Sequence, residues 1–169
     1  ELMVAVTIFS LVVVMSLGAV VSILNANRKS QSLESVMSNL NFTLESMSRD
    51  LRYGTNYSCG VVSSTPRDCQ SGEGDVTVLS DRGLGNVTYL LDSNHQIIRT
   101  TSSTGVTVPI TAPEVKINNL KFYVTGSDPA STPDTNQPKI RIIIQGTAGT
   151  RNPSSFNIQT TVSQRIFDN

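Results

Sequence analysis

The N-terminal part of the chain carries a long uncharged segment, and this segment constrains the fold more than any other feature. From Leu2 to Asn27 there is no charged residue, and the first 24 positions are mostly Val, Leu, Ile, Met, Ala and Phe. A helix of about 20 apolar residues spans the hydrocarbon core of a bilayer, which is roughly 30 Å thick. Because such a helix satisfies its own backbone hydrogen bonds, we expect residues 1–27 to form a helix that lies in lipid or in the core of a filament.

A secretory signal peptide is an alternative explanation of such a segment. Signal peptides have a basic start, a shorter apolar core and a small-residue cleavage site. Here the acidic residue Glu1 stands at the edge of the apolar run, no such cleavage site closes it, and a continuous helical pattern follows. The sequence therefore favours a membrane or filament-core helix over a signal peptide.

The helical pattern continues beyond the uncharged segment in amphipathic form. Apolar residues recur every three or four positions, and polar residues fill the positions between them. The cations Arg49 and Arg52 suit the negative end of a helix, and Gly54 is a credible stop. We therefore predict one helix of about 53 residues, roughly 80 Å long, whose second half packs on a folded domain. The apolar stripe comprises Leu33, Val36, Met37, Leu40, Leu44, Met47 and Leu51.

The charges of the chain are balanced. Thirteen basic residues offset 13 acidic ones, and only 15% of the residues are charged. A dedicated nucleic-acid-binding protein usually has an excess of basic residues. We therefore expect no nucleic-acid partner. The uneven distribution of apolar residues divides the chain into a hydrophobic helix at 1–27 and a Ser/Thr-rich domain at 28–169.

The two cysteines, Cys59 and Cys69, lie ten positions apart with Gly60 and Pro66 between them. This spacing suits a disulfide-closed loop, which would stabilise the fold by about 3 kcal/mol in the chain-entropy estimate. Disulfides persist in oxidising compartments, so a bridge would place the domain in the periplasm or outside the cell. Two free thiols in a reducing compartment are the alternative.

Downstream of the cysteines, apolar residues alternate with polar ones, which is typical of β-strands with one buried face. Such strands form an antiparallel sheet with one side covered, and the apolar stripe of the helix is the obvious cover. An irregularity is expected at Asn118 and Asn119 in the longest strand. The predicted fold class is α+β, with one long helix packed on an antiparallel sheet. The predicted strands are 76–79, 87–91, 96–100, 115–125, 139–145 and 155–166.

The run Glu1-Leu2-Met3-Val4-Ala5-Val6, followed by the uncharged segment, resembles the N-terminal region of type IV pilins and of the pseudopilins of type II secretion systems. In that family a leader peptidase cuts after a glycine and methylates the new N-terminus, and a glutamate follows four residues later. Glu1 matches that glutamate, so the methylated residue lies outside this sequence. A weaker resemblance, to J-type minor pseudopilins, is carried by 48–52, 89–92 leading to 97–99, 120–122 and 159–165.

The resemblance implies a structural filament subunit. Subunits would lie in the inner membrane before assembly, beside an assembly platform. They would then join identical or homologous subunits in a periplasmic or cell-surface filament. The Glu1 carboxylate would neutralise a cation, by family resemblance the N-terminal amine of a neighbour, and so set the axial register. The assembly residues implied are Glu1, Leu2, Val6, Phe9, Val13 and Leu17.

Patterns for catalysis or metal binding are weak in this sequence. The single histidine, His95, falls in a turn, and no set of nucleophile, base and orienting residue stands out. We therefore expect neither an enzyme nor a cofactor. Calcium accepts carboxylate and carbonyl oxygens, and Asp128 and Asp134 in an oxygen-rich loop are the candidate ligands. The alternative function is a membrane-anchored extracytoplasmic binding or adhesion domain that does not polymerise.

Overall fold

The structure is a computed structural model, and it describes residues 1–60, 65–127, 137–149 and 153–165. Within these residues one helix is followed by nine strands. All the ladders between strands are antiparallel, so the predicted α+β class is confirmed. The elements are α1 (Leu2–Tyr53), β1 (Thr55–Cys59), β2 (Cys69–Glu73), β3 (Asp75–Leu79), β4 (Asn86–Leu91), β5 (Ile97–Thr101), β6 (Thr107–Pro109), β7 (Val115–Thr125), β8 (Lys139–Ala148) and β9 (Ser154–Ser163).

The helix α1 is continuous over 52 residues and ends at the predicted glycine. The Gly54 N–H donates to the Asp50 carbonyl oxygen at 3.0 Å, but the Gly54 backbone is extended, with φ −81° and ψ 170°. The left-handed glycine cap that commonly ends a helix is therefore absent here. Glycine is needed instead for space, because a Cβ at this position would lie 2.2 Å from Cγ2 of Val78.

The strands form two sheets, whereas the alternation in the sequence indicated a single one. The five-stranded sheet has the order β1-β3-β4-β5-β6, and the four-stranded sheet has the order β2-β7-β8-β9. The register of β7 against β8 shifts between Ile117 and Asn119, which confirms the irregularity expected there. A bulge of this kind adds a residue to one strand and increases the local twist.

The core lies between the helix and the inner faces of the sheets. Leu40, Met47 and Leu51 of α1 are fully buried, and so are Ile142 and Ile144 of β8. The helix contacts β8 and β9 directly. It therefore covers the four-stranded sheet through the stripe that the sequence predicts.

The helix is also hydrogen-bonded to the segment that follows β6. The Thr43 hydroxyl donates to the Ile110 carbonyl oxygen at 2.7 Å, and the Asn39 side-chain oxygen accepts from the Ala112 N–H at 3.0 Å. One member of the predicted stripe, Met37, is 41% exposed and stays outside the core. The helix is thus held by the segment between β6 and β7 as well as by the four-stranded sheet that it covers.

Three strands were not predicted: β1, β2 and β6. In β1 the consecutive residues Tyr57, Ser58 and Cys59 are all buried, so no alternation marks the strand. All three residues of β6 are exposed, so no apolar pattern marks it either. The predicted strand at 155–166 is β9, which ends at Ser163, and residue 166 lies outside the described part of the chain.

Candidate functional site

The uncharged first part of α1 presents an exposed apolar surface. None of the side chains from 1 to 31 is buried, and Leu2 and Phe9 are 80% and 70% exposed. The helix is long and apolar enough to cross a bilayer. Apolar surface of this extent in water is unfavourable, so it needs lipid or other apolar helices around it.

The predicted assembly residues share one side of this exposed helix. The apolar ones among them are separated by steps of three or four positions, which brings side chains one above another on an α-helix. Their role in assembly stays a prediction. The five apolar members are Leu2, Val6, Phe9, Val13 and Leu17, all of them exposed.

Glu1 lies at the N-cap position of α1, where its carbonyl oxygen accepts from the Ala5 N–H at 3.2 Å. Its carboxylate makes no capping hydrogen bond and is exposed. A carboxylate that is not engaged in its own helix is free to pair with a cation from another molecule. The register role predicted for Glu1 also stays a prediction.

Three hydroxyl groups of this segment are satisfied within the helix. Thr7 donates to the Val4 carbonyl oxygen, and Ser10 donates to the Val6 carbonyl oxygen, each at 2.8 Å. Ser16 makes the same bond to the carbonyl oxygen four residues earlier. An unpaired hydroxyl group is costly in an apolar environment, so these bonds make the segment compatible with lipid or a filament core.

A polar cluster joins the C-terminal end of α1 to the five-stranded sheet, and its centre is Asp50. Tyr89 on β4 donates its hydroxyl hydrogen to Oδ2 of Asp50 at 2.7 Å. Arg99 on β5 contacts the same oxygen through Nε at 3.1 Å and Nη2 at 3.0 Å. Nη1 of Arg82 lies 3.9 Å from Oδ1. The carboxylate is almost fully buried and is paired on both oxygens.

The surroundings of this cluster change the proton affinity of its members. Burial, and then the hydrogen bond and charge of Asp50, raise the pKa of Tyr89 far above its usual value. For Arg99, burial lowers the pKa, but the contacts with Tyr89 and Asp50 outweigh it and the net direction is upward. Tyr89 therefore remains a neutral donor, and Arg99 remains a cation, over the ordinary pH range.

The role of Asp50 was not predicted from the sequence, although the sequence holds a signal for it. Asp50 follows Met47 by three positions and precedes Leu51, so it falls inside the apolar stripe. A charged residue in a buried stripe usually has a partner of opposite charge. The partners, 39 and 49 positions away, could not be identified from spacing alone.

The disulfide between Cys59 and Cys69 is confirmed. Cys59 ends β1 and Cys69 begins β2, which are edge strands of different sheets. The bridge therefore ties the two sheets together at one side of the domain, as well as closing the loop that the spacing suggested.

The structure gives little support for chemistry at the remaining candidates. In the described part of the chain, no three His, Cys, Asp or Glu side chains come close enough to hold a metal ion. The calcium candidates Asp128 and Asp134 lie outside the described residues. His95 occupies a turn with φ 62°, and its Nδ1 lies 3.0 Å from the Ile117 carbonyl oxygen. That contact ties the turn to β7, which is a structural role.

Scans against protein-family models, curated proteins and solved structures find no match for this chain. The features of its own structure are therefore the basis for assigning a class. A single long helix, apolar and exposed in its first part and packed on antiparallel sheet in its second, corresponds to the pilin-like architecture that the sequence predicted.

Proposed function

We propose that this chain is a structural subunit of a type IV pilus-like filament, either a pilin or a minor pseudopilin of a type II secretion system. The observation that carries the proposal is the exposed apolar first part of α1, which continues without a break into the helix that is buried in the domain. Assembly would move this surface from lipid into contact with the same surface of neighbouring subunits.

The continuity of the helix favours assembly over simple anchoring. A membrane anchor needs only apolar length, and a flexible linker is enough to attach its domain. Here no proline interrupts residues 2–53, and the helix is held by the core and by the Asp50 cluster. A rigid attachment transmits the position of the apolar helix to the domain, as a filament with regular subunit spacing requires.

Glu1 supplies the register in this proposal. An unpaired carboxylate in an apolar environment is expensive, so subunits would pack in the one position where Glu1 meets a cation. By family resemblance that cation is the N-terminal amine of a neighbouring subunit. The subunit would occupy the inner membrane and contact the assembly platform first, and later form part of a periplasmic or cell-surface filament.

The substitution Glu1→Ala tests the proposal in cells that express the chain together with its assembly machinery. Sheared surface or periplasmic material is examined by electron microscopy, and the membrane pool of the subunit is quantified. We expect a large loss of filaments with an undiminished membrane pool. The substitution would leave the cation of the neighbouring subunit unpaired in the apolar core, and an unpaired buried charge costs about 3–5 kcal/mol. Glu34→Ala, which removes an exposed glutamate from the amphipathic part of the same helix, is the matched control.

Each outcome of this experiment separates the candidates. Long fibres made mainly of this chain favour a pilin, and short or mixed fibres favour a minor pseudopilin. Normal filaments from the Glu1→Ala protein contradict the register role. Single molecules without fibres in the wild type contradict the filament proposal and support a membrane-anchored binding domain.

A further inference from the structure

The outer face of the four-stranded sheet carries an unusual distribution of charge. The strands β7, β8 and β9 contain four cations, Lys116, Lys121, Lys139 and Arg141, and no acidic residue. The side chains that alternate with these cations, such as Ile140 and Phe122, are buried on the inner face. All four cations therefore stand on the face that points away from α1, although the whole chain has no net charge.

The pairing register shows how this basic face is arranged. Thr125 pairs with Lys139, Tyr123 with Arg141, and Lys116 with Thr147 near the opposite end of the ladder. Lys139 and Thr147 are eight positions apart along β8, a distance of about 27 Å at 3.4 Å per residue. An extended polymer lying along the strands would reach all four cations.

Among the described residues, few acidic groups lie near this face, and one of them, Asp75 on β3, lines a cavity together with Asn119. Within the sheet, the described acidic residue is Glu73 on β2, which lies opposite Phe122 and close to Gly60. Glu114 precedes β7 and is exposed at the end of the ladder. The centre of the face, around Lys121 and Arg141, is therefore positive.

Two of the cations are held in place before any ligand arrives. The Arg141 guanidinium carbon lies 4.3 Å from the ring centroid of Tyr123, which is a cation–π arrangement. The Tyr123 ring lies against Gly72, where a Cβ atom would stand 2.5 Å from the ring. Nζ of Lys121 donates to the Gly72 carbonyl oxygen at 3.0 Å. Side chains that are already ordered lose less entropy on binding.

Apart from Ile143, the remaining side chains of this face are mostly amides and hydroxyls. Asn119 donates to the side-chain oxygen of Gln145 at 3.1 Å, and these two residues are paired in the ladder. Asn157 and Gln159 continue the amide group on β9, beside the half-buried Ile143. Amides and hydroxyls both donate and accept hydrogen bonds, which suits a ligand rich in hydroxyl groups.

We infer that this basic face binds an anionic polysaccharide, a polymer of sugars that carry carboxylate or sulfate groups. The four cations would pair with the acidic groups, and the amides and hydroxyls would bond to the sugar hydroxyls. A nucleic acid is disfavoured, because Tyr123 is the sole aromatic residue on the outer face of β7–β9 and Arg141 covers its ring, leaving no platform for bases. A protein partner is disfavoured too, because Ile143 alone offers no central apolar anchor.

The inference does not depend on filament formation, but the two proposals are compatible. The basic face lies on the side of the sheet opposite the buried stripe of α1. In a filament with the apolar helices at its centre, this face would point outward along the whole fibre. Many copies of a weak site would then bind one polymer with high avidity.

The test uses the full chain as a monomer in non-ionic detergent, so its outcome is separate from that of the filament experiment. Binding to immobilised alginate, a polymer of uronic acids, is measured at about 50 mM and about 500 mM salt. We expect binding at low salt that weakens at high salt, and none to neutral dextran. The double variant Lys139→Gln/Arg141→Gln should bind alginate about tenfold more weakly.

A second double variant, Arg49→Gln/Arg52→Gln, controls for net charge. It removes two exposed cations from α1, on the other side of the domain, and should bind like the wild type. Equal weakening by both double variants would overturn the inference, because only net charge would then matter. Absence of alginate binding would overturn it as well, and so would tighter binding to single-stranded DNA than to alginate.

Discussion

Residues 2–27 and residues 33–53 belong to one uninterrupted helix, yet their side chains have opposite surroundings. Leu11 in the first part is 58% exposed, and Leu40 in the second part is fully buried. Both parts make the same backbone hydrogen bonds, so the difference comes from how apolar residues are distributed around the helix. The first part is apolar on every side, whereas the second part is apolar along one stripe.

The comparison separates the residues that stabilise the domain from those available for association. A single stripe can be covered by one sheet, and the four-stranded sheet covers it in this structure. A helix that is apolar all round cannot be covered by one surface, and lipid or a bundle of helices is the environment that suits it. We therefore expect substitutions in the second part to change folding, and substitutions in the first part to change association.

The largest expected effect tests this division directly. Leu40→Ala should lower the free energy of unfolding by about 3–4 kcal/mol, because it leaves a cavity in a fully buried site. Leu11→Ala, the matched change in the exposed part, should alter it by less than about 0.5 kcal/mol. Urea unfolding in detergent, followed by tyrosine fluorescence, measures both, since two of the four tyrosines, Tyr57 and Tyr89, are buried in the folded protein. Similar losses for the two variants would contradict the division.

The same comparison shows which features the sequence could reveal. Regular spacing of apolar residues predicts the helix and the strands β3, β4, β5, β7, β8 and β9, because each buries one face. Long-range pairing leaves no such local trace. The strand β2 was missed for this reason. Its buried residues, Cys69 and Gly72, do not alternate with polar ones, and it joins the sheet through β7, nearly 50 positions away along the chain.

The division of the strands between two sheets was missed for the same reason. The pairing of neighbouring strands such as β3 and β4 can be predicted from the turn between them. In contrast, β1 pairs with β3 and β2 pairs with β7, so neither pairs with the strand that follows it in the sequence. The basic face was missed too, because Lys116 and Arg141 are 25 positions apart and come to lie on one face only after β7 pairs with β8. Position in the sheet, rather than local composition, creates this surface.

Asp50 is a charged residue within the apolar, buried stripe of the helix, and its removal is the next test. Asp50→Ala should lower the free energy of unfolding by about 2–3 kcal/mol, because it leaves the half-buried Arg99 and the fully buried Tyr89 without their partner. Glu45→Ala breaks the exposed pair with Arg49 on the same helix and should cost less than about 0.5 kcal/mol. Urea unfolding measures both. A loss below about 1 kcal/mol for Asp50→Ala would contradict the anchoring role of the cluster.

The smallest expected effect concerns the hydroxyl group that Tyr89 contributes to this cluster. Tyr89→Phe removes one hydrogen bond to a charged group and should lower the free energy of unfolding by about 1.5 kcal/mol at neutral pH.

The pKa of Tyr89 is raised in the folded protein, chiefly by burial, above its ordinary value of 10.0. The folded protein therefore holds this proton at pH values where the unfolded chain has released it. As the pH rises above about 10, this difference lowers the stability of the wild type. The variant lacks the titrating group, so the gap between the two proteins should narrow with rising pH. Urea unfolding followed by far-UV circular dichroism, at pH 8 and at about pH 11, measures the gap. A constant gap would show that the Tyr89 hydroxyl does not link the end of the helix to the sheet in the way that the structure indicates.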